Sequence, residues 1–161
     1  MNNLSKHPAI YIIGVGKPDR GDDGIGILVS RQLQSLDYKN VLIKEIKDDI
    51  LPIMDQWTIK DDVIIIDAVS SGAPPGTLHR IDAIRKKIPP IFRNCSTHTI
   101  GLNQLIELSN ILKKQPRTLV IYGIEGQNFE IGSTISPQAL LKIPIIQKII
   151  LMEIKKIQHL R

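Results

Sequence analysis

The run from Ala9 to Val15, Ala-Ile-Tyr-Ile-Ile-Gly-Val, is the strongest constraint on what this chain can fold into. It is rich in β-branched residues, carries no charged group, and is bounded by Gly14 and Gly16, so it reads as a central strand buried on both faces. A glycine-rich acidic loop follows. From Asp23 onward Ile25, Leu28, Val29, Leu33 and Leu36 recur at spacings of three and four, which places them on one helical stripe. Strand, loop and helix in that order open a layered α/β fold.

The same alternation continues along the chain. Val41 to Ile46 reads as a second strand, and Asp48 or Asp49 can cap a short helix whose inner face is Ile50, Ile53, Met54 and Trp57. Val63 to Asp67 is another apolar strand, one that stops at a carboxylate. After the turn-rich segment Ser70 to Gly76, Thr77 to Ile81 alternates and reads as a peripheral strand, whereas Ile84 to Phe92, broken by Pro89 and Pro90, reads as irregular. Leu102, Leu105, Ile106, Ser109 and Leu112 restore a helical stripe, and Thr118 to Tyr122 is a strand. Ser136 and Pro137 then read as the N-cap and first position of a long amphipathic C-terminal helix. The expectation is a single three-layer α/β/α domain over residues 1–161, with a mostly parallel twisted sheet of about five strands between helices.

Composition narrows the function classes. There are 161 residues, 42% hydrophobic and 23% charged, with one Cys, so no internal disulfide is available and the cytoplasm is the expected compartment. The polar opening Met1 to His7 carries no secretory signal, and Ile143 to Ile154 is interrupted by Pro144, Gln147, Lys148 and Glu153, far from the ~20 apolar residues of a membrane span. No membrane insertion is expected. The net charge of +5 is scattered except at Arg85, Lys86 and Lys87, and aromatics are only 4%, which argues against a nucleic-acid partner.

Three segments carry chemistry. The loop from Gly14 to Gly26 lies between the first strand and helix, where α/β proteins bind ligands. It lacks the third glycine of a dinucleotide fingerprint, Asp19 standing there instead. Gly16 and Gly21 have P-loop spacing, but Asp22 and Asp23 stand where Lys and Ser or Thr would serve phosphates. Carboxylates there suit a cation, although either aspartate alone can simply cap the helix. Asp67, at the end of its strand, should emerge at the same sheet edge if the strands are parallel; alternatively it ends a strand or bonds the Ser70–Ser71 turn. His98 lies in or just before the first turn of a helix that Ser96 or Thr97 can cap. The helix dipole there disfavours its cationic form, leaving the neutral imidazole that binds metals, or a satisfied structural histidine. His7, His79 and His159 have no comparable setting. No Gly-x-Ser-x-Gly elbow or His-Glu-x-x-His helix is present, and Cys95 near His98 makes a poor protease dyad.

With these segments the chain resembles the peptidases that mature nickel-iron hydrogenases by removing a C-terminal extension from the large subunit. The resemblance rests on Gly14-Val-Gly with Arg20 to Gly26, on Ile66-Asp67 with Gly76-Thr-Leu78, on Ser96 to Leu102, and on Tyr122-Gly-Ile-Glu125 leading to Ile135-Ser-Pro137. It implies an endopeptidase acting after nickel insertion, with the nickel-iron hydrogenase large-subunit precursor as partner. It also implies Asp23, Asp67 and His98 as metal ligands, with nickel recognised in the substrate. The catalytic candidates are Asp23, Asp67 and Asp22, the last as a base at the edge of the site. Lys17 stands where that family usually has Asn, and a cation there would either weaken the metal loop or contact substrate carboxylates. Two alternatives keep the same site: a nickel-dependent checkpoint chaperone that does not cut, and a metal-dependent hydrolase of a small amide.

Overall fold

The buried run forms β1 (Ile10–Val15), all six residues of which are buried. In this computed structural model residues 7–36, 38–89 and 97–161 are described, residues 97–100 as helix backbone only. β1 pairs in parallel with β2 (Val41–Ile46) on one side and with β3 (Asp62–Val69) on the other. β3 pairs in parallel with β5 (Thr118–Glu125), and β4 (Leu78–Asp82) closes the far edge antiparallel to β5. The strand order is β2-β1-β3-β5-β4. The apolar runs occupy the centre because they are covered on both faces, whereas the alternating strands β2 and β4 take the edges.

Helices cover both faces. On one side α1 (Ile25–Gln34) and α4 (Ile143–His159) pack against Ile10, Ile12, Ile64, Ile66, Val120, Tyr122 and Ile124. Ile143, Ile146, Ile150, Ile154 and Ile157 of α4 are all buried there, each contributing roughly 1.5–3 kcal/mol. On the other side α2 (Thr97–Ile111) and the 3-10 turn Leu51–Asp55 cover Tyr11, Ile13, Val15, Val63, Ile65, Val69, Leu119 and Ile121. The expected three-layer α/β/α arrangement is therefore the observed one.

Several boundaries differ for physical reasons. The segment after Asp49 makes only a five-residue 3-10 turn, begun where the Asp49 carboxylate accepts the Leu51 N–H at 2.9 Å. The helix expected from Asp23 starts at Ile25, and residues Gly21–Gly24 form a separate 3-10 turn. The C-terminal helix is not continuous: a single turn α3 (Pro137–Leu140) precedes α4, because Pro144 has no N–H to bond back to Leu140 and its ring crowds that carbonyl. Ser136 makes no side-chain cap. β3 runs two residues past Asp67, which places that carboxylate inside the strand rather than at its end. Ser96 and Cys95 lie outside the described residues.

Candidate active site

Parallel pairing brings the ends of β1, β3 and β5 to one sheet edge. After β1 the chain turns at Gly16, whose φ of +138° suits glycine and whose missing Cβ would stand 1.8 Å from the Asp23 carbonyl. Glycine here is therefore a steric requirement, and it folds the 3-10 turn of Asp22 and Asp23 back onto the sheet edge.

The two neighbouring aspartates do different things. Asp22 is fully buried, and its carboxylate accepts the backbone N–H groups of Gln127 (2.7 Å), Asn128 (3.0 Å) and Ser136 (2.6 Å). Burial opposes its charge, but those donors outweigh it and hold its carboxyl below the ordinary value. A carboxylate with both oxygens engaged and a lowered proton affinity is a poor base, so the geometry gives Asp22 a role in holding the 127–136 loop rather than the edge-of-site base expected from the sequence. Nor does it cap the helix.

Asp23 is 2% exposed. Its Oδ2 accepts the Lys17 N–H at 3.1 Å, while its buried Oδ1 has no hydrogen-bond partner. The Lys17 ammonium points instead to Asp48, 3.7 Å away and exposed. Asp67, 1% exposed, accepts only the N–H of its neighbour Ala68 among the described hydrogen bonds, at 2.8 Å. Burial first, and the charge of Asp23 second, push its carboxyl well above the usual range. A buried carboxylate whose proton affinity is raised by the charge of a second one calls for a bound proton or a cation nearby. The orphaned Oδ1 of Asp23 provides an acceptor for either.

Alternation along β3 puts Asp67 on the face shared by Ile65 and Val69, which α2 covers. His98 is the second residue of α2, so the helix carrying it lies on the layer that Asp67 faces. Its side chain is outside the described residues, so of the three expected ligands only Asp23 and Asp67 have described side chains, and the charge of Asp23 acts on Asp67. Among the described residues no three His, Cys, Asp or Glu side chains form a metal-holding group. The carboxylate pair fits a cation as a partial, oxygen-donor set that needs ligands from elsewhere.

The sequence reading missed one polar cluster. His79, expected to be an ordinary residue of an alternating strand, has its Nε2 3.2 Å from Oε2 of Glu125, a glutamate only 1% exposed. The available signal was the same as for Asp67: a carboxylate terminating an apolar strand. His159, exposed near the end of α4, bonds the Lys155 carbonyl and takes no part in this cluster.

Comparison with known proteins places the chain in a family. Residues 44–153 match the family profile HycI, hydrogenase maturation protease. The chain is 25% identical over 140 residues to the hydrogenase expression/formation protein HupD of Thiocapsa roseopersicina, covering 84% of this chain and 62% of HupD. It is 30% identical over 141 residues to protein FrxA of Pyrococcus furiosus, covering 84% of this chain and 98% of FrxA. In fold it resembles the hydrogenase maturating endopeptidase HybD from E. coli, with a TM-score of 0.80 at 22% identity over 92% of this chain and 93% of that one. The maturation protease HycI from Thermococcus kodakarensis gives 0.69 at 23% identity, over 91% and 92%. The chain belongs to the hydrogenase maturation protease family, a family of hydrolases.

Proposed function

We propose that this protein is a cytoplasmic endopeptidase that removes the C-terminal extension of the nickel-iron hydrogenase large-subunit precursor after nickel has been inserted. The nickel is cargo of the substrate and its recognition signal, met by Asp23, Asp67 and His98. The observation that carries the reading is the buried Asp23–Asp67 pair with an unpartnered Oδ1 at the sheet edge. An incomplete oxygen-donor set suits an ion whose other ligands come with the substrate. In hydrolysis water adds to the scissile carbonyl and the amine leaves with a proton. The base and acid for these transfers are assigned to the Asp23–Asp67 pair, since Asp22 is occupied by backbone donors.

Mass spectrometry of nickel-loaded and nickel-free precursor after incubation tests this. Shortening of the loaded form alone is expected, and it should be lost in Asp23→Asn and in a cooperatively folding His98→Ala. Equal cutting of both forms would end the nickel-recognition reading. Binding of the loaded precursor without shortening would instead identify a checkpoint chaperone.

A further inference from the structure

Glu125 is a buried carboxylate that the proposed chemistry leaves unused. It ends β5 opposite Val69 and so shares the sheet face of Asp67. Its Oε1 accepts the N–H groups of Ser71 (2.6 Å) and Gly72 (2.9 Å), and its Oε2 accepts the Ser71 hydroxyl (2.7 Å) beside His79. Its backbone holds the other end of the same turn: the Gly76 N–H donates to its carbonyl at 2.7 Å, and its own N–H donates to Thr77 at 2.9 Å. A charge removed from water is costly unless its oxygens are filled, and here most of the donors come from one surface turn.

Asp22 does the same for the 127–136 loop, and Gly126, next to Glu125 in the chain, packs against the Asp22 side chain. A Cβ on Gly126 would stand 2.7 Å from the Cβ of Asp22 and 2.6 Å from the Phe129 ring, while the Gly126 N–H donates to Val69 at 2.8 Å. The short segment 125–128 therefore links the turn after β3 to the loop after β5, with Asp23 next to one carboxylate and Asp67 on the face of the other.

We propose that Glu125 and Asp22 are positioning residues that fix the 70–72 turn and the 127–136 loop as two preformed walls, between which an extended polypeptide tail is seated over Asp23 and Asp67. This deepens the endopeptidase reading and rests on it. Surface loops left to themselves are mobile, and ordering them on binding weakens affinity. Walls ordered beforehand act equally on bound substrate and transition state, so their loss raises KM and leaves kcat in place.

The test is steady-state processing of nickel-loaded precursor, with amide exchange at Ser71 and Gly72 read in parallel. Glu125→Ala is expected to raise KM about tenfold, hold kcat within about threefold and speed exchange at both amides. Glu125→Gln keeps an oxygen for both amides and should recover most of the KM. An unchanged KM in Glu125→Ala, or a fall in kcat at constant KM, overturns the proposal. If Glu125→Ala does not fold, Ser71→Ala decides: it removes only the hydroxyl arm, and about a threefold rise in KM is expected, no rise being contrary. Wild-type protein that leaves the loaded precursor intact refutes the endopeptidase reading itself; wild-type cutting with unaltered variants refutes only the walls.

Discussion

Asp22 and Asp67 are both buried carboxylates at one sheet edge, yet their proton affinities move in opposite directions. Three backbone N–H groups favour the ionised form of Asp22; burial and the charge of Asp23 disfavour that of Asp67. Their contributions to stability therefore have opposite pH dependence. Asp22, lowered from 3.8, stabilises the fold above that value and ceases to as pH falls through its folded value. Asp67, raised above 3.8, binds more proton folded than unfolded between the two values, so stability declines as pH rises through that window. Asp67→Asn keeps the shape and removes the buried charge. Calorimetry across acid to neutral pH should show this variant melting above wild type at neutral pH and level with it below about pH 4. Its processing should be lost. Asp22→Ala leaves three N–H groups without their acceptor and should cost about 3 kcal/mol in urea unfolding.

At the scale of elements, α4 is joined to the sheet by more than its isoleucine stripe. Glu153 accepts the Tyr122 hydroxyl at 2.9 Å and a two-pronged Arg80 guanidinium at 2.8 Å, which ties the helix to β5 and β4 together. Arg80 holds the Glu153 carboxyl below its usual range, and burial pushes the Tyr122 hydroxyl up. Because Arg80 is partly exposed, the tie is weaker than a buried pair, and Glu153→Ala should cost about 2 kcal/mol. The midpoint of urea unfolding measures this, and KM for the precursor should not change. Such a tie was not legible in the sequence, since Arg80 and Glu153 are 73 residues apart. The amphipathic pattern of α4 was legible; its separation from α3 was not, although Pro144 marks the place.

Across the whole molecule the two ends of the sheet have different work. At the end opposite the candidate site, fully buried Asp62 accepts a two-pronged Arg117, the Thr118 hydroxyl and Arg161. Arg161 also donates to the carbonyls of Pro8 and Ala9, so the last described residue fastens the entrance of β1. Parallel strands put loops and ligands at their carboxyl ends, which leaves the amino ends for fastening. Arg161→Ala should accordingly lower stability by about 1–2 kcal/mol in thermal or urea unfolding, while precursor processing at low temperature stays at the wild-type rate. A comparable loss of KM or kcat in the folded variant would show that the two ends are coupled.

What the sequence by itself determined is local and periodic. The order of strands and helices, the central place of the apolar runs, and the delivery of Asp23 and Asp67 to one edge all follow from spacing and from parallel pairing. Only the tertiary structure decided what each carboxylate does. Asp22 finds its donors 105 to 114 residues away, and Glu125 meets Ser71 at a separation of 54 and His79 at one of 46. Periodicity carries information about neighbours three or four residues apart; it carries none about which distant loop will bring its N–H groups to a buried oxygen. That encounter depends on how the loops stack after the sheet has formed, and it separates an aspartate whose oxygens are filled by backbone donors from one left with a buried, unpartnered oxygen.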